Sequence, residues 1–280
     1  KKIKVAVIQN TLGYPCDIEK IVQICKEKNI ILIEDLAHCV GAKYSNNKEA
    51  GTMGDFVTLS FSQDKVIDAV SGGALVIRNK QYQKHILASQ GQALRSYQQL
   101  RDHLYPLLTY KIRFLYDFYL GKLLHYILKD LNFLSKPMQE GLYNFYSLPD
   151  WYCNLTLVKF SKLKQELNHR REIAKIYAEK INDKVLSKNI IKNISLSSNL
   201  RFPVFLENPP DGEASRGELI KFLKKSKIFV SDIWYDSVAP ECPNAVEISK
   251  KILNLPTHIN IAKKDALIIS EKINEWLRIK

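Results

Sequence analysis

The chain has 280 residues, of which 46% are hydrophobic and 25% charged, and this composition excludes a mostly disordered or collagen-like protein. Its length predicts one large or two modest domains, either of which can bury a sizeable core. The formal net charge is +13, a balance that can attract nucleic acid, anionic lipid or phosphorylated small molecules. Because the lysines are scattered and form no long basic run, we favour a solvated, lysine-rich surface.

The beginning of the chain and its five cysteines bear on cellular context. The cysteines are odd in number and form no C-x-x-C pair, which argues against a disulfide framework and a structural zinc site. No metal site is predicted, and reduced thiols fit a cytoplasmic protein. The first residue is Lys1, and no signal peptide is recognisable. Because a domain seldom begins inside a buried strand, we expect the chain to lack its true N-terminus.

The first 80 residues predict an α/β sheet covered by helices. An apolar run at 3–8 predicts a buried strand, and helical spacing of apolar residues predicts a helix over 18–28. A second buried strand follows at 30–33, and strand, helix and strand at this spacing form a βαβ unit with parallel strands. Two further strands are predicted at 56–61 and 74–77.

Residues 93–148 form an aromatic-rich helical insert. Seven aromatic residues lie between Tyr105 and Tyr126, and the leucines among them keep helical spacing. Lysine, arginine and aspartate interrupt this segment, which argues against a transmembrane span. An interfacial amphipathic hairpin that contacts a membrane surface through residues 104–130 is one interpretation. We favour the other, in which the insert packs against the body of the protein or a partner subunit.

The second half predicts a smaller α/β unit. We expect a long amphipathic helix over 155–181 and later helices over 216–225 and 264–278. Strands are predicted at 201–206 and 228–233. We therefore divide the chain into residues 1–150, with the helical insert at about 93–148, and residues 151–280.

Three segments in the first half carry residues suited to catalysis. Asp35 follows a buried strand, Gly51 to Asp55 is a tight turn, and Ser60 and Lys65 precede the pair Gly72-Gly73. Ligands of parallel α/β sheets bind beyond the carboxyl ends of the strands, where Asp35, Ser60 and Lys65 would meet. Singly, such residues are more often a helix cap, a turn serine and a solvated lysine. Together they suit a Schiff base between a lysine and an aldehyde cofactor, with an aspartate that keeps the cofactor's pyridine ring protonated.

The same segments carry a resemblance to a known family. Residues 33–42 (IEDLAHCVGA), 51–55 and 59–76 contain, in order, D-x-x-H, G-x-x-G-D, S-F-x-x-x-K and G-G. They resemble the DegT/DnrJ/EryC1/StrS family of pyridoxal-phosphate sugar aminotransferases, and Asn254 to His258 resembles that family's late Leu-Pro segment. The resemblance implies a type I aminotransferase-like α/β fold. This fold has an αβα large domain, here incomplete at its N-terminus, and a smaller C-terminal α/β domain.

The resemblance also implies roles for four residues. Lys65 would be the catalytic Schiff-base lysine, Asp35 would pair with the pyridine nitrogen, and Ser60 would bind the phosphate. His38 would lie near the ring hydroxyl, although a packed histidine in the first turn after the strand is the alternative. Related sugar dehydratases have a histidine in place of the lysine, so Lys65 favours transamination.

The implied protein is a cytoplasmic homodimer that moves an amino group, expected from glutamate, to a nucleotide-linked keto sugar for cell-envelope or secreted glycan biosynthesis. Two family features are absent: the early phosphate loop and the Asn-aromatic-Arg motif, where Asn144 and Phe145-Tyr146-Ser147-Leu148 stand instead. We therefore expect these 280 residues alone to bind the cofactor weakly and to be inactive. The alternative function is a non-catalytic scaffold or membrane-surface protein on the same fold. Nucleic-acid recognition ranks last, because no pattern of a nucleic-acid-binding module is visible.

Overall fold

The computed structural model describes residues 3–84, 91–116, 120–135, 146–206, 212–230 and 239–279. Its first sheet has four strands in the order β1-β2-β3-β4, which are Val5–Gln9, Ile31–Asp35, Phe56–Ser60 and Gly73–Ile77. The first three strands run parallel, and β4 pairs with β3 in the antiparallel direction. The predicted strands and the parallel βαβ unit are confirmed.

Helix α1, Ile18–Glu27, is the crossover between β1 and β2 and was predicted within one residue. Its buried face carries Ile18, Val22 and Cys25, which pack with Leu32 and Tyr44 into one hydrophobic cluster. This spacing of apolar residues places them on one side of the helix, and their burial holds α1 against the sheet.

The prediction that the first strand is buried is wrong. Along β1 the side chains alternate between half-buried and exposed, and Val5 and Val7 are 45% and 63% exposed. The reason is its place in the sheet. In the described part of the chain β1 pairs with β2 alone, so apolar content made this edge strand resemble a central one.

Two helices occupy the described part of the insert. They are α2, Ser96–Phe114, and α3, Leu120–Asp130, and they pack against each other. Gly121 at the start of α3 lies against the backbone of residues 112–116, where a Cβ atom has no room. Flanking the helices, the short strands β5, Gln92–Ala93, and β6, Tyr146–Ser147, pair in parallel. The helical character predicted for the insert is confirmed.

The long helix predicted over 155–181 is two helices. These are α4, Asp150–Ser161, and α5, Leu163–Lys180, and the break falls at Lys162, whose φ of −98° and ψ of 0° are not helical. The Lys162 amide bonds to the carbonyl of Lys159, three residues back, so the last turn of α4 is tightened. An uninterrupted periodicity did not reveal this bend.

A second sheet follows, formed by the antiparallel strands β7, Arg201–Phe205, and β8, Ile252–Pro256. Four helices accompany it: α6, Lys188–Asn193; α7, Gly212–Lys225; α8, Pro243–Lys251; and α9, Lys263–Ile279. The predicted strand 201–206 and helices 216–225 and 264–278 are confirmed. The predicted strand 228–233 is wrong at 228–230, which follow the last turn after α7 without sheet pairing, and its remainder lies outside the described residues.

Helix α5 contributes to two hydrophobic clusters, one beside the first sheet and one around the second sheet. Ile173 and Tyr177 are fully buried with β7, β8 and α9, whereas Leu167 packs with residues that follow β2 and β3. A single rigid helix therefore links the two sheets. The division of the chain near residue 150 remains a prediction.

Candidate active site

The carboxyl ends of β2 and β3 place Asp35 and Ser60 at one edge of the first sheet. Asp35 is the last residue of β2 and Ser60 the last of β3, and the register pairs Asp35 with Thr58 and with Gln9 of β1. Lys65 lies five residues beyond Ser60, in the loop between β3 and β4. The structure therefore brings these predicted residues to the same edge.

Neighbours on three sides hold the Asp35 carboxylate. Its Oδ1 accepts hydrogen bonds from the Ala37 amide at 2.9 Å and the Thr58 hydroxyl at 3.3 Å. Its Oδ2 accepts one from the Gln9 side chain at 3.2 Å. Donors from both adjacent strands thus fix the orientation of the carboxylate.

The loop that carries Lys65 is held by Asp68. The Asp68 carboxylate accepts hydrogen bonds from the Val70 amide at 2.9 Å and the Asp64 amide at 3.3 Å. Both of those residues have positive φ, 65° for Asp64 and 71° for Val70, which is strained backbone for a β-branched residue. Burial raises the pKa of Asp68. Sequence reasoning missed this residue, because an aspartate in a polar loop gives no signal of its partners.

The charges of Asp35 and Lys65 act on each other's surroundings and on His38. Burial lowers the pKa of the Lys65 amine; Asp35 and Asp64 oppose that shift, and Arg201 adds to it. Burial, followed by the charge of Lys65, lowers the pKa of His38 from 6.5 to about 4. Burial therefore favours the neutral form of His38 and enlarges the neutral fraction of Lys65.

Two contacts position His38 after β2. Its Nδ1 accepts a hydrogen bond from the Leu12 amide at 3.3 Å, which leaves the ring proton of the neutral form on Nε2. Its backbone carbonyl accepts one from the Ser198 hydroxyl at 2.8 Å.

The predicted phosphate residue Ser60 has its Oγ 3.0 Å from that of Ser62, so two hydroxyl groups stand side by side.

Glu34 organises the glycine-bearing turn and was not singled out by sequence reasoning. It is fully buried, and its carboxylate accepts hydrogen bonds from the amides of Gly51 and Met53, both at 2.7 Å, and from Gly54. The Tyr44 hydroxyl is a fourth donor. Gly51 has a φ of +90°, and this backbone conformation lets the turn wrap around the carboxylate. The signal in the sequence is an acid inside an apolar strand, alternating in face with Asp35.

Two arginines lie near the loop that carries Lys65 and near His258. Arg201, at the start of β7, has its Nη2 atom 3.5 Å from Oδ1 of Asp64. Arg170 of α5 is buried and donates to the Thr257 hydroxyl at 3.2 Å, while its Nε finds no hydrogen-bond partner within the described part of the chain. Burial and then Arg170 and Arg201 lower the pKa of His258 to about 4. Thr257 and His258 lay in the Leu-Pro segment recognised from the sequence, whereas Arg170 and Arg201 did not.

A cavity of about 780 Å³ lies on the other face of the sheet. Val57 and Leu59 line it, together with Leu36, Phe160 and Leu163. Because side chains alternate along a strand, these residues point away from Thr58 and its partner Asp35. The cavity therefore lies on the opposite face of the sheet from Asp35 and Thr58. Asn144 and Phe145, which stand at the position of the family's Asn-aromatic-Arg motif, lie outside the described residues.

Solved structures identify the fold as that of the type I aminotransferases. PseC from Helicobacter pylori, an aminotransferase involved in the biosynthesis of pseudoaminic acid, matches with a TM-score of 0.68 at 17% identity, covering 99% of this chain and 67% of its own. The predicted fold class is confirmed.

A sequence profile of the DegT/DnrJ/EryC1/StrS aminotransferase family matches residues 1–274, and the chain belongs to this family. GDP-perosamine synthase from Escherichia coli O157:H7 is 24% identical over 283 residues, which cover 98% of this chain and 66% of the synthase. UDP-4-amino-4,6-dideoxy-N-acetyl-beta-L-altrosamine transaminase from Campylobacter jejuni (strain 81-176) is 27% identical, covering 93% of this chain and 62% of the transaminase. The chain thus spans 62% to 66% of the length of these two relatives.

Proposed function

We propose that the protein is a pyridoxal-phosphate-dependent aminotransferase that transfers an amino group to a nucleotide-linked keto sugar. The observation that carries the proposal is that Asp35 and Lys65 lie at the same edge of the first sheet. The charge of Asp35 opposes the lowering of the Lys65 pKa, and the charge of Lys65 lowers the pKa of His38. Family membership supports the substrate class. So do the names of the two relatives, one of which refers to a GDP-linked sugar and the other to a UDP-linked amino sugar.

The residues at the sheet edge fit the chemical groups of pyridoxal phosphate. Asp35 offers a fixed carboxylate for the protonated pyridine nitrogen, and Lys65 offers an amine for the aldehyde. The paired hydroxyl groups of Ser60 and Ser62 offer donors to the phosphate. His38, with its remaining ring proton on Nε2, offers a donor to the ring hydroxyl.

Each residue has a separate task in this proposal. When bound, pyridoxal phosphate supplies an aldehyde that condenses with amines and a ring that withdraws electrons from the neighbouring carbon. Asp35 holds the proton on the ring nitrogen, because a nearby negative charge favours the charged form. The Nζ atom of Lys65 would be the base that accepts a proton from the substrate and the acid that later gives it back. Its lowered pKa enlarges the neutral fraction that can accept a proton.

The wider assignment follows the family. We propose glutamate as the amino donor, a homodimer as the working unit, and a cytoplasmic role in cell-envelope or secreted glycan biosynthesis. Residues 1–150 would form the cofactor-binding part with its insert at about 93–148, and residues 151–280 the smaller domain. Among the residues that the structure describes, no helix combines the length and apolarity needed to cross a bilayer.

Cofactor trapping tests the proposal. Full-length protein incubated with pyridoxal phosphate should turn yellow, and borohydride reduction should fix the cofactor on the peptide that contains Lys65. Lys65→Ala should lose the fixed label, whereas Lys80→Ala, an exposed lysine after the far end of β4, should retain it. A retained label in Lys65→Ala would contradict the assignment.

A transfer assay separates the enzyme from the non-catalytic alternative. Wild-type full-length protein should move the amino group of glutamate to a nucleotide-linked keto sugar. Asp35→Asn should lower turnover more than it lowers trapping, because the amide cannot hold the ring proton. A protein that gives neither a yellow adduct nor transfer would favour the scaffold function.

A further inference from the structure

The helical hairpin formed by α2 and α3 turns apolar stripes towards solvent. On α2 the outward stripe consists of Tyr97, Leu100, Leu107, Tyr110 and Phe114. On α3 and the residue after it the stripe consists of Leu120, Leu123, Tyr126, Ile127 and Leu131. These side chains are 44% to 69% exposed, and most recur three, four or seven residues apart, which places them on one face of each helix. Within the described residues these stripes face solvent, while α2 contacts the body through Asp102 and Tyr152. Packing of the insert against a partner subunit remains a prediction.

A buried polar cluster sets the outward direction of α2. The Tyr152 hydroxyl of α4 donates to Oδ2 of Asp102 at 2.8 Å, and the Arg101 Nε lies 3.3 Å from Oδ1 of the same carboxylate. All three residues are buried. Breaking this cluster would leave an uncompensated buried charge. The cluster therefore opposes a rotation of α2 about its axis that would bury the apolar stripe.

The exposed charges beside the stripes are mostly positive. Lys111, Arg113, Lys122 and Lys129 are exposed on α2 and α3, whereas Asp130 is the one exposed acid among the described residues 96–116 and 120–131. A two-fold contact with a second copy would bring these cations towards each other. An anionic lipid surface complements both the cations and the apolar stripes, and tyrosine is common where protein meets the lipid headgroups.

We propose that the α2–α3 hairpin docks the protein on the surface of an anionic lipid bilayer, with the helices lying in the plane of the interface. Apolar side chains enter the boundary between headgroups and acyl chains, and the lysines and Arg113 contact lipid phosphates. The inference concerns where the protein resides and does not rest on the proposed reaction.

Vesicle co-sedimentation of full-length protein tests the docking. Binding should be strong to mixed phosphatidylcholine–phosphatidylglycerol vesicles at low salt, weaker at high salt, and weak to phosphatidylcholine alone. The double substitution Lys111→Gln with Lys129→Gln should lower the partition coefficient roughly 30-fold, at about one factor of five per cation. Lys224→Gln with Lys225→Gln, on α7, makes the same change in net charge and should leave binding near the wild-type value.

A second pair of variants tests the apolar contribution. Tyr110→Ser with Phe114→Ser should lower the partition coefficient about tenfold or more, whereas Leu267→Ser with Ile268→Ser, an exposed apolar pair on α9, should not. Circular dichroism confirms that each variant is folded. Absence of binding to the anionic vesicles would overturn the proposal. So would hairpin variants that turn a dimer into a monomer without altering vesicle binding, because the stripes would then be a subunit interface.

Discussion

Replacing Glu34 by glutamine perturbs the turn at residues 51–55, whose backbone amides the Glu34 carboxylate binds. The wild-type carboxylate faces four donors, which are three backbone amides and the hydroxyl of Tyr44. Two of these donors meet Oε1 and two meet Oε2. Glutamine keeps one acceptor oxygen and replaces the other by an NH₂ group, so either orientation of the amide sets a donor against two donors.

The expected loss follows from the two abandoned hydrogen bonds. A buried donor without a partner costs about 1–3 kcal/mol, so two predict a loss of about 4 kcal/mol in the free energy of unfolding. That is a large share of the roughly 5–15 kcal/mol that stabilises a typical protein. Tyr44→Phe removes one donor from Glu34 and the acceptor for the Asn10 amide, and predicts a smaller loss of about 2 kcal/mol.

Urea denaturation of the full-length protein, followed by circular dichroism, measures both losses. Glu49→Gln, an exposed acid in the same segment, is the matched control and should change the free energy of unfolding by less than about 0.5 kcal/mol. A loss below about 1 kcal/mol for Glu34→Gln, or one equal to that of the control, would refute the reasoning.

Two further predictions concern pH and backbone conformation. The pKa of His258 falls from 6.5 to about 4 on folding, so its stabilising contribution is complete above pH 6.5 and is lost as the pH drops towards 4, by about 3 kcal/mol. His258→Asn should therefore reduce the loss of unfolding free energy between pH 6.5 and pH 4. His125→Asn, at an exposed position of α3, is the control and should keep the wild-type loss. Equal pH slopes of the unfolding free energy in the two variants would disprove this origin. Gly51→Ala should lower the free energy of unfolding by about 2 kcal/mol, because φ is +90° and the new Cβ would lie 2.7 Å from a methyl group of Leu36. Gly217→Ala, with open space around it in α7, should raise that free energy by about 0.5–1 kcal/mol, and denaturation changes of the same sign in both variants would contradict this account.

The amino-acid sequence by itself determined the βαβ unit and the residues that end its strands. Apolar runs and helical spacing are local properties, so they located β2, α1 and β3, and parallel pairing then assigned Asp35 and Ser60 to one edge. The order of the motifs around Lys65 was sufficient to indicate the family. These features depend on short stretches of chain whose meaning does not change with distant contacts.

Tertiary structure alone decided what lies opposite each side chain. The carboxylates of Glu34 and Asp68 hold turns in place because the fold brings backbone amides to them, from the turn at Gly51 for Glu34 and from the loop residue Val70 for Asp68. Arg201 reached the surroundings of Lys65 from a strand 136 positions later in the chain. Burial also divides residues that look alike in sequence, which is why apolar β1 and the aromatic stripes of α2 and α3 are exposed while equally apolar β8 is enclosed. Exposure and hydrogen-bond partners depend on packing between segments far apart in sequence, and local pattern carries no record of them.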